Sequence, residues 1–189
     1  GGVGIYHIGK SISEGIFSFM TALENVFNPQ VYQRMFGHHK HDGKSIGEYL
    51  TPFLYISIFV ALSIALFSEE VLIILTPVNY YGAIPIITIL SMYFGSLFFG
   101  KIAGMQLIYL KKTNITSVLT FLSVGLNIAL NIPFIMSFGA VGAAWATFLA
   151  SLISGTVSIV VAQHYYNVKY EWIKIAWIMG TFFIGSTII

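Results

Sequence analysis

The sequence predicts an all-α integral membrane protein, a bundle of six transmembrane helices, and three observations predict it. Of 189 residues, 57% are hydrophobic and 8% charged, with a mean hydropathy of +0.83, whereas a soluble domain would carry about a quarter of charged residues. Successive apolar runs reach the ~20 residues needed to cross a ~30 Å hydrocarbon core. Every second connection between those runs is basic, and the connections between contain no Lys or Arg.

The expected spans are about 5–33, 50–67, 83–110, 115–138, 140–165 and 172–189, forming a single transmembrane lobe over 1–189, with a short helix at about 69–76. In the first span, Ile5, Ile8, Ile12, Ile16, Phe19, Leu23 and Val26 recur at steps of three and four, so they form one stripe, which reads as lipid-facing. Lys10, Glu14, Thr21, Glu24, Asn25 and Asn28 fall on the opposite side. Each charge there would cost ~2.5–3.5 kcal/mol in hydrocarbon, so that side must meet a protein interior or a water-filled cavity. A helix lying flat on the membrane is a third reading, although flat helices are usually Lys/Arg-rich and this face is Ser, Thr, Asn and mixed charge.

The second span runs from Pro52 to Phe67 and borrows its first turn from Glu48, Tyr49 and Leu50. Pro52 and Pro85 fit first turns, where a missing N–H is harmless. Val71–Leu75 is too short to span and reads as an interfacial helix, followed by a turn through Thr76, Pro77 and Asn79. Ala83–Leu110 is the third span. The fourth carries Pro133 in its last turn, and Gly139 separates it from the fifth; Trp172 opens the sixth.

Arg34, Lys40 and Lys44 lie between the first two spans, Lys111 and Lys112 between the third and fourth, and Lys169 and Lys174 at the next basic connection. The connection with Glu69 and Glu70, and the Gly139 turn, contain no Lys or Arg. The positive-inside rule then puts the basic connections in the cytoplasm and the other two outside. A net charge of +2 is too small to argue for a nucleic-acid partner. Zero cysteines exclude disulfides and thiolate metal sites. The start without Met and the apolar end at Ile189 read as those of a fragment, and no signal-peptide pattern opens it.

Candidate substrate or cation-cavity residues are Lys10, Glu14, Glu24, Lys101, Asn127 and Asn131. Lys10 and Glu14 are four apart and can pair on one face; Glu24 projects from the same half of the helix. A structural ion pair and a cavity wall for a charged substrate or coupling cation are both open. Lys101 lies ~14 Å from the inner end of its helix, deeper than snorkelling fully spans. Inward-facing, it could attract phosphate, while Gly100 and Gly104 beside it make a small-xxx-small face for close helix packing. Asn127 and Asn131 share a face and are expected to bond a neighbouring helix, with substrate contact as the other reading. Ala143, Thr147, Ala150 or Ser151, Ser154 and Ser158 read as a packing seam. His38, His39, His41 and Asp42 are better read as a solvated turn than a metal site, because no second ligand cluster completes a shell. No nucleophile elbow, phosphate loop or zinc-ligand pair occurs, so no catalytic or metal residue is assigned.

The run Phe138-Gly-Ala-Val-Gly-Ala-Ala-Trp-Ala-Thr-Phe148, following an Asn-bearing helix and a Pro, resembles the penultimate-helix signature of the polysaccharide (O-antigen type) flippases, within the multidrug/oligosaccharidyl-lipid/polysaccharide exporter superfamily. The opening helix from Gly4 to Ser13, Glu69–Leu75 followed by Tyr80–Ile87, and Lys111-Lys-Thr-Asn114 are similar in the same order. The resemblance implies the C-terminal lobe, helices seven to twelve, of a two-lobed twelve-helix exporter. It implies flipping of an undecaprenyl-diphosphate-linked oligosaccharide across the cytoplasmic membrane by alternating access, for cell-surface polysaccharide biosynthesis. It further implies no cofactor beyond a coupling proton or sodium ion, and as partners the lipid-linked substrate, membrane lipids and the N-terminal lobe of the same chain. Two alternatives compete: a cation-coupled drug or metabolite antiporter of the same superfamily, and a membrane-embedded polysaccharide polymerase or acyltransferase using the His38–Asp42 loop.

Overall fold

The structure, a computed structural model, describes residues 2–36 and 43–187. Its elements are α1 (Gly2–Phe36), α2 (Gly43–Leu66), the short α3 (Ser68–Leu75), a 3-10 turn (Val78–Ala83), α4 (Ile84–Tyr109), α5 (Thr113–Tyr165) and α6 (Trp172–Thr187). Among the described residues all regular structure is helical. Three stretches are long and apolar enough to cross a membrane: Ile46–Leu66, Val78–Tyr109 and Thr113–Tyr165. At ~1.5 Å per residue α1 is ~52 Å long, but its charged and hydroxyl-bearing side keeps it out of that set.

α5 is a hairpin. Gly139 takes φ 58° and ψ −131°, a backbone conformation open to glycine and strained for other residues. Around it the limbs 113–138 and 140–165 run antiparallel. Ser123 Oγ donates to Ser154 Oγ at 3.1 Å, and a Cβ on Gly142 would overlap the carbonyl of Phe134. Both pairings are centred within one residue of Gly139 in numbering, as a tight turn there requires.

The second helix begins at Gly43, several residues before the expected 50–67, which puts Pro52 in its interior. A proline there leaves one helical carbonyl without its N–H partner. The ring of Pro52 is exposed, so it does not press on a neighbouring helix. Pro29 likewise lies inside α1, which continues to Phe36.

α4 is the centre of the bundle: it touches α1, α2, α5 and α6. Ile86, Ile87, Leu90, Ala103 and Leu107 on it are almost completely buried, as expected of a helix apolar all round. Ile16, Met20, Phe27 and Val31 of α1 join Leu50, Leu54 and Ile58 of α2 in the same core. Here the structure corrects the reading of α1. Ile5, Ile8 and Ile12 pack on Leu72, Ala83 and Ile87, and Ile16 is 0% exposed. The apolar stripe therefore faces mainly into the bundle and not toward lipid, because α4 and the 3-10 turn offer it an apolar partner. Phe19 and Val26 remain on the outside.

The basic connections share one end of the bundle. A Cβ on Gly47 would strike the carbonyl of Lys169, Gln106 Nε2 donates to the carbonyl of Tyr166 at 3.1 Å, and Lys112 Nζ lies 5.3 Å from the Tyr165 ring centroid. Arg34 stacks over Tyr49, 4.1 Å from its centroid, and Tyr49 donates to Gln30 Oε1 at 2.7 Å. At the opposite end Gly4 approaches Tyr80, Gly82 approaches Ile5, and Gly2 approaches Ala140. α1 therefore traverses the bundle from the Gly139 end to the basic end. Burial raises the Tyr170 phenol above its ordinary range and raises Tyr166, to which neighbouring Tyr109 adds.

Candidate functional site

A cleft of about 730 Å³ opens between α1, α4 and both limbs of α5. α1 contributes Tyr6, Lys10, Glu14 and Phe17, spaced by four, four and three, hence one face of the helix. α4 contributes Tyr93, Phe94, Ser96, Gly100 and Gly104. The first limb of α5 adds Thr116, Thr120, Ser123 and Asn127, and the second adds Thr147, Ser151, Ser154 and Ser158. Each of these two sets steps by four, three and four, so two hydroxyl-rich ladders stand beside each other and touch at Ser123–Ser154. Facing them is an aromatic wall, in which the Phe17 and Phe94 centroids are 6.1 Å apart and those of Tyr93 and Phe94 4.8 Å.

The charges in and beside the cleft are arranged as pairs. Lys10 Nζ lies 3.6 Å from Glu14 Oε1, both side chains half-exposed. Lys101 bonds Glu24 across the α1–α4 contact, and its Nζ sits 4.8 Å from the Phe17 ring centroid. That pair is more buried, with 29% and 18% of the side chains exposed. Of the six sequence candidates, Lys10, Glu14 and Asn127 line the cleft. Glu24 and Lys101 meet each other at its flank, connected to it through Phe17. Asn131 instead donates to Asn127, to its carbonyl at 2.9 Å and its Oδ1 at 2.8 Å. These bonds stay within one helix, contrary to the interhelical bonding expected, because the i, i+4 spacing supplies a nearer acceptor.

Gly100 and Gly104 also differ from expectation. No heavy atom outside the local helix lies within 4 Å of a Cβ built on either, so both widen the cleft, although the Gly100 backbone is approached by Gly155, whose own Cβ would lie 4.0 Å from the Gly100 nitrogen. The Thr147–Ser158 seam likewise faces the cleft. Several of its hydroxyls satisfy themselves on their own helix, as Thr147 does on the carbonyl of Ala143 at 2.9 Å; Thr116 Oγ1, in the opposite ladder, is buried without a protein partner. The residues without a signal of their own in the sequence analysis are the aromatic wall and, in the first ladder, Thr116, Thr120 and Ser123 beside Asn127. As a set, the ladder has one: polar residues at helical spacing in an otherwise apolar span. His38, His39, His41 and Asp42 lie outside the described residues, and among those described no cluster could hold a metal.

With that geometry in place, one comparison bears on function. The chain is 27% identical, over 176 residues, to a protein of Haloferax volcanii named "Probable low-salt glycan biosynthesis flippase Agl15". The likeness is to a flippase. It takes in 93% of this chain but 37% of the relative, so the chain spans little more than a third of that protein's length. No family model matches the chain, and no solved structure matches it. A flippase relative together with apolar helices suggests a membrane protein and a transporter.

Proposed function

We propose that this chain is one lobe of a transporter that flips a lipid-linked oligosaccharide across the cytoplasmic membrane for surface glycan assembly, the basic end lying in the cytoplasm. The observation that carries the reading is the cleft: a groove with two hydroxyl ladders and an ion pair on its walls and a second ion pair at its flank. A bilayer-embedded bundle has no reason to keep hydroxyl ladders and charges on one concave surface unless that surface admits a polar group. Aromatic faces opposite hydroxyl ladders suit a sugar, whose rings present both C–H surfaces and hydroxyls. The flippase relative points to the same cargo class. A second lobe of the same protein would close the open side of the cleft, giving the two-lobed, alternating-access design. Glu14 and Glu24 are the carboxylates through which a proton or sodium gradient would act.

Deleting the gene in its host should make the lipid-linked glycan accumulate on the cytoplasmic face and deplete the surface glycan, with restoration by the full-length protein. Unchanged surface glycan and unchanged lipid-linked intermediates would refute the proposal. Dye efflux that depends on Glu14 or Glu24, with normal glycan, would assign the cleft to an antiporter instead.

A further inference from the structure

A second concave feature lies on the far side of α4 from the cleft, along the seam between α2 and α6. Both helices leave the basic end in the same direction, since Gly47 at the start of α2 abuts Lys169 just before α6. At the basic end the seam opens into a mouth of about 490 Å³ lined by Glu48, Thr51, Tyr55, Glu171 and Lys174. Tyr55 also begins the next stretch, an apolar groove of about 540 Å³ lined by Ile56, Phe59, Leu62, Trp177 and Ile178. The two adjoin at Tyr55 and follow one another along the seam, charged at one end and apolar along the rest. Trp177 is 71% and Phe59 69% exposed, so the groove is open to the surroundings of the bundle.

Its length identifies the kind of occupant. From Glu48 to Leu62 is 14 residues of helix, ~21 Å, which is about half of a ~40–45 Å bilayer including its headgroup regions. Mouth and groove together thus have the length of one leaflet, with the polar mouth at headgroup level and the apolar floor reaching the midplane. Among the described residues the mouth presents two carboxylates, Glu48 and Glu171, and one ammonium, Lys174, whose Nζ is 2.5 Å from Glu171 Oε1 and whose side chain is 58% exposed. A phosphate can meet the lysine while a cation on the same headgroup meets the carboxylates. A primary ammonium brings three N–H donors to those carboxylates; a quaternary one brings none, and an anionic headgroup brings its phosphate to the lysine but no cation to the carboxylates.

We propose that the α2–α6 groove is a binding site for one phospholipid with a primary-amine headgroup, of the ethanolamine type, drawn from the leaflet at the basic end. The site is separate from the cleft, because α4 stands between them. It rests on the membrane-embedded reading of the helices and is independent of what the cleft transports.

The test uses the full-length protein, purified in detergent, stripped of lipid and then given phosphatidylethanolamine, phosphatidylcholine or phosphatidylglycerol of matched acyl chains. Retained lipid is counted by native mass spectrometry and the melting temperature is followed in parallel. The expected result is a roughly threefold preference for the ethanolamine lipid, the size that partly exposed charge pairs support, with the largest thermal stabilisation from the same lipid. Glu48→Gln combined with Glu171→Gln should abolish the preference while lipid is still retained by the apolar groove. Equal retention of the three lipids by the unmodified protein, or a preference that survives the double substitution, would overturn the site. The headgroup comparison on the unmodified protein decides the matter even if the variant does not fold, and neither readout depends on transport.

Discussion

Lys101 and Glu24 show what a side chain in an apolar bundle requires. Each is less than a third exposed, so each needs a partner for its charge, and they find it in each other across α1 and α4. Replacing Glu24 by Gln would leave Lys101 part-buried beside the Phe17 ring with a weaker acceptor. An expected loss of ~1–3 kcal/mol, between the values for exposed and buried pairs, is measurable as a lowered melting temperature in detergent. Lys101→Met together with Glu24→Gln should recover much of it. The Lys10–Glu14 pair is legible in the sequence because its partners are four apart on one helix. The Glu24–Lys101 pair is not, since its partners are 77 positions apart and only the register of α1 against α4 brings them together. Tyr170, in the connection before α6, is a second residue with a defined consequence. Its hydroxyl is buried without a protein partner, and burial raises its pKa. The folded state therefore resists ionising this phenol when the unfolded chain has already lost the proton. Its contribution is intact below the ordinary tyrosine pKa of about 10 and is lost as pH rises above it. Tyr170→Phe should keep or raise stability at neutral pH and reduce the alkaline loss, as read from melting temperatures between pH 8 and 11.

At the scale of elements, glycines and prolines mark where sequence and structure are easiest and hardest to relate. Gly139 stands alone between two apolar runs and takes a positive φ, so the chain reverses there; the turn is legible because a mid-span glycine without basic neighbours fits little else. Gly139→Ala would force a Cβ into a backbone region that non-glycine residues avoid, at a cost of ~1–3 kcal/mol. Chemical denaturation of the purified protein should show that loss, and the Ser123–Ser154 hydrogen bond should weaken with it. The start of α2 is hidden by Pro52, which reads as a first-turn residue. In the structure the helix begins well before it, because packing of Ile46 and Leu50 into the core outweighs one lost backbone hydrogen bond. Gly47→Ala tests that packing: the added Cβ would strike the backbone of Lys169 and Tyr170, which has no rotamer by which to yield. Destabilisation should accompany it although alanine is the better helix former.

For the molecule as a whole, the all-helical character, the low charge and a sheltered polar side of α1 were readable from the sequence, but the burial of its apolar side was not. One helix with an apolar and a polar side can turn either side inward, and only its neighbours decide. Here α4 and the 3-10 turn take the isoleucines, and the two ladders of α5 leave a concavity for Tyr6, Lys10, Glu14 and Phe17. The cleft therefore arises from how helices combine, which is why hydroxyls that look like a seam in one span become a wall when two spans face each other. Whether that concavity is a passage or only a gap can be tested by filling it. Gly104 has open space where its Cβ would be, whereas Gly9, on the packed side of α1, would place a Cβ 2.8 Å from Ile86 Cγ2. Gly104→Leu should thus occupy the cleft without disturbing the core, and the exchange of glycine for a strong helix former favours the fold by up to ~1 kcal/mol. If the cleft carries the glycan, this variant of the full-length protein folds with an unchanged or slightly raised melting temperature yet fails to restore surface glycan in a deletion strain. Gly9→Leu should instead lower the melting temperature and the amount of protein in the membrane. Full glycan export by a stable, normally expressed Gly104→Leu protein would show that the cargo passes elsewhere.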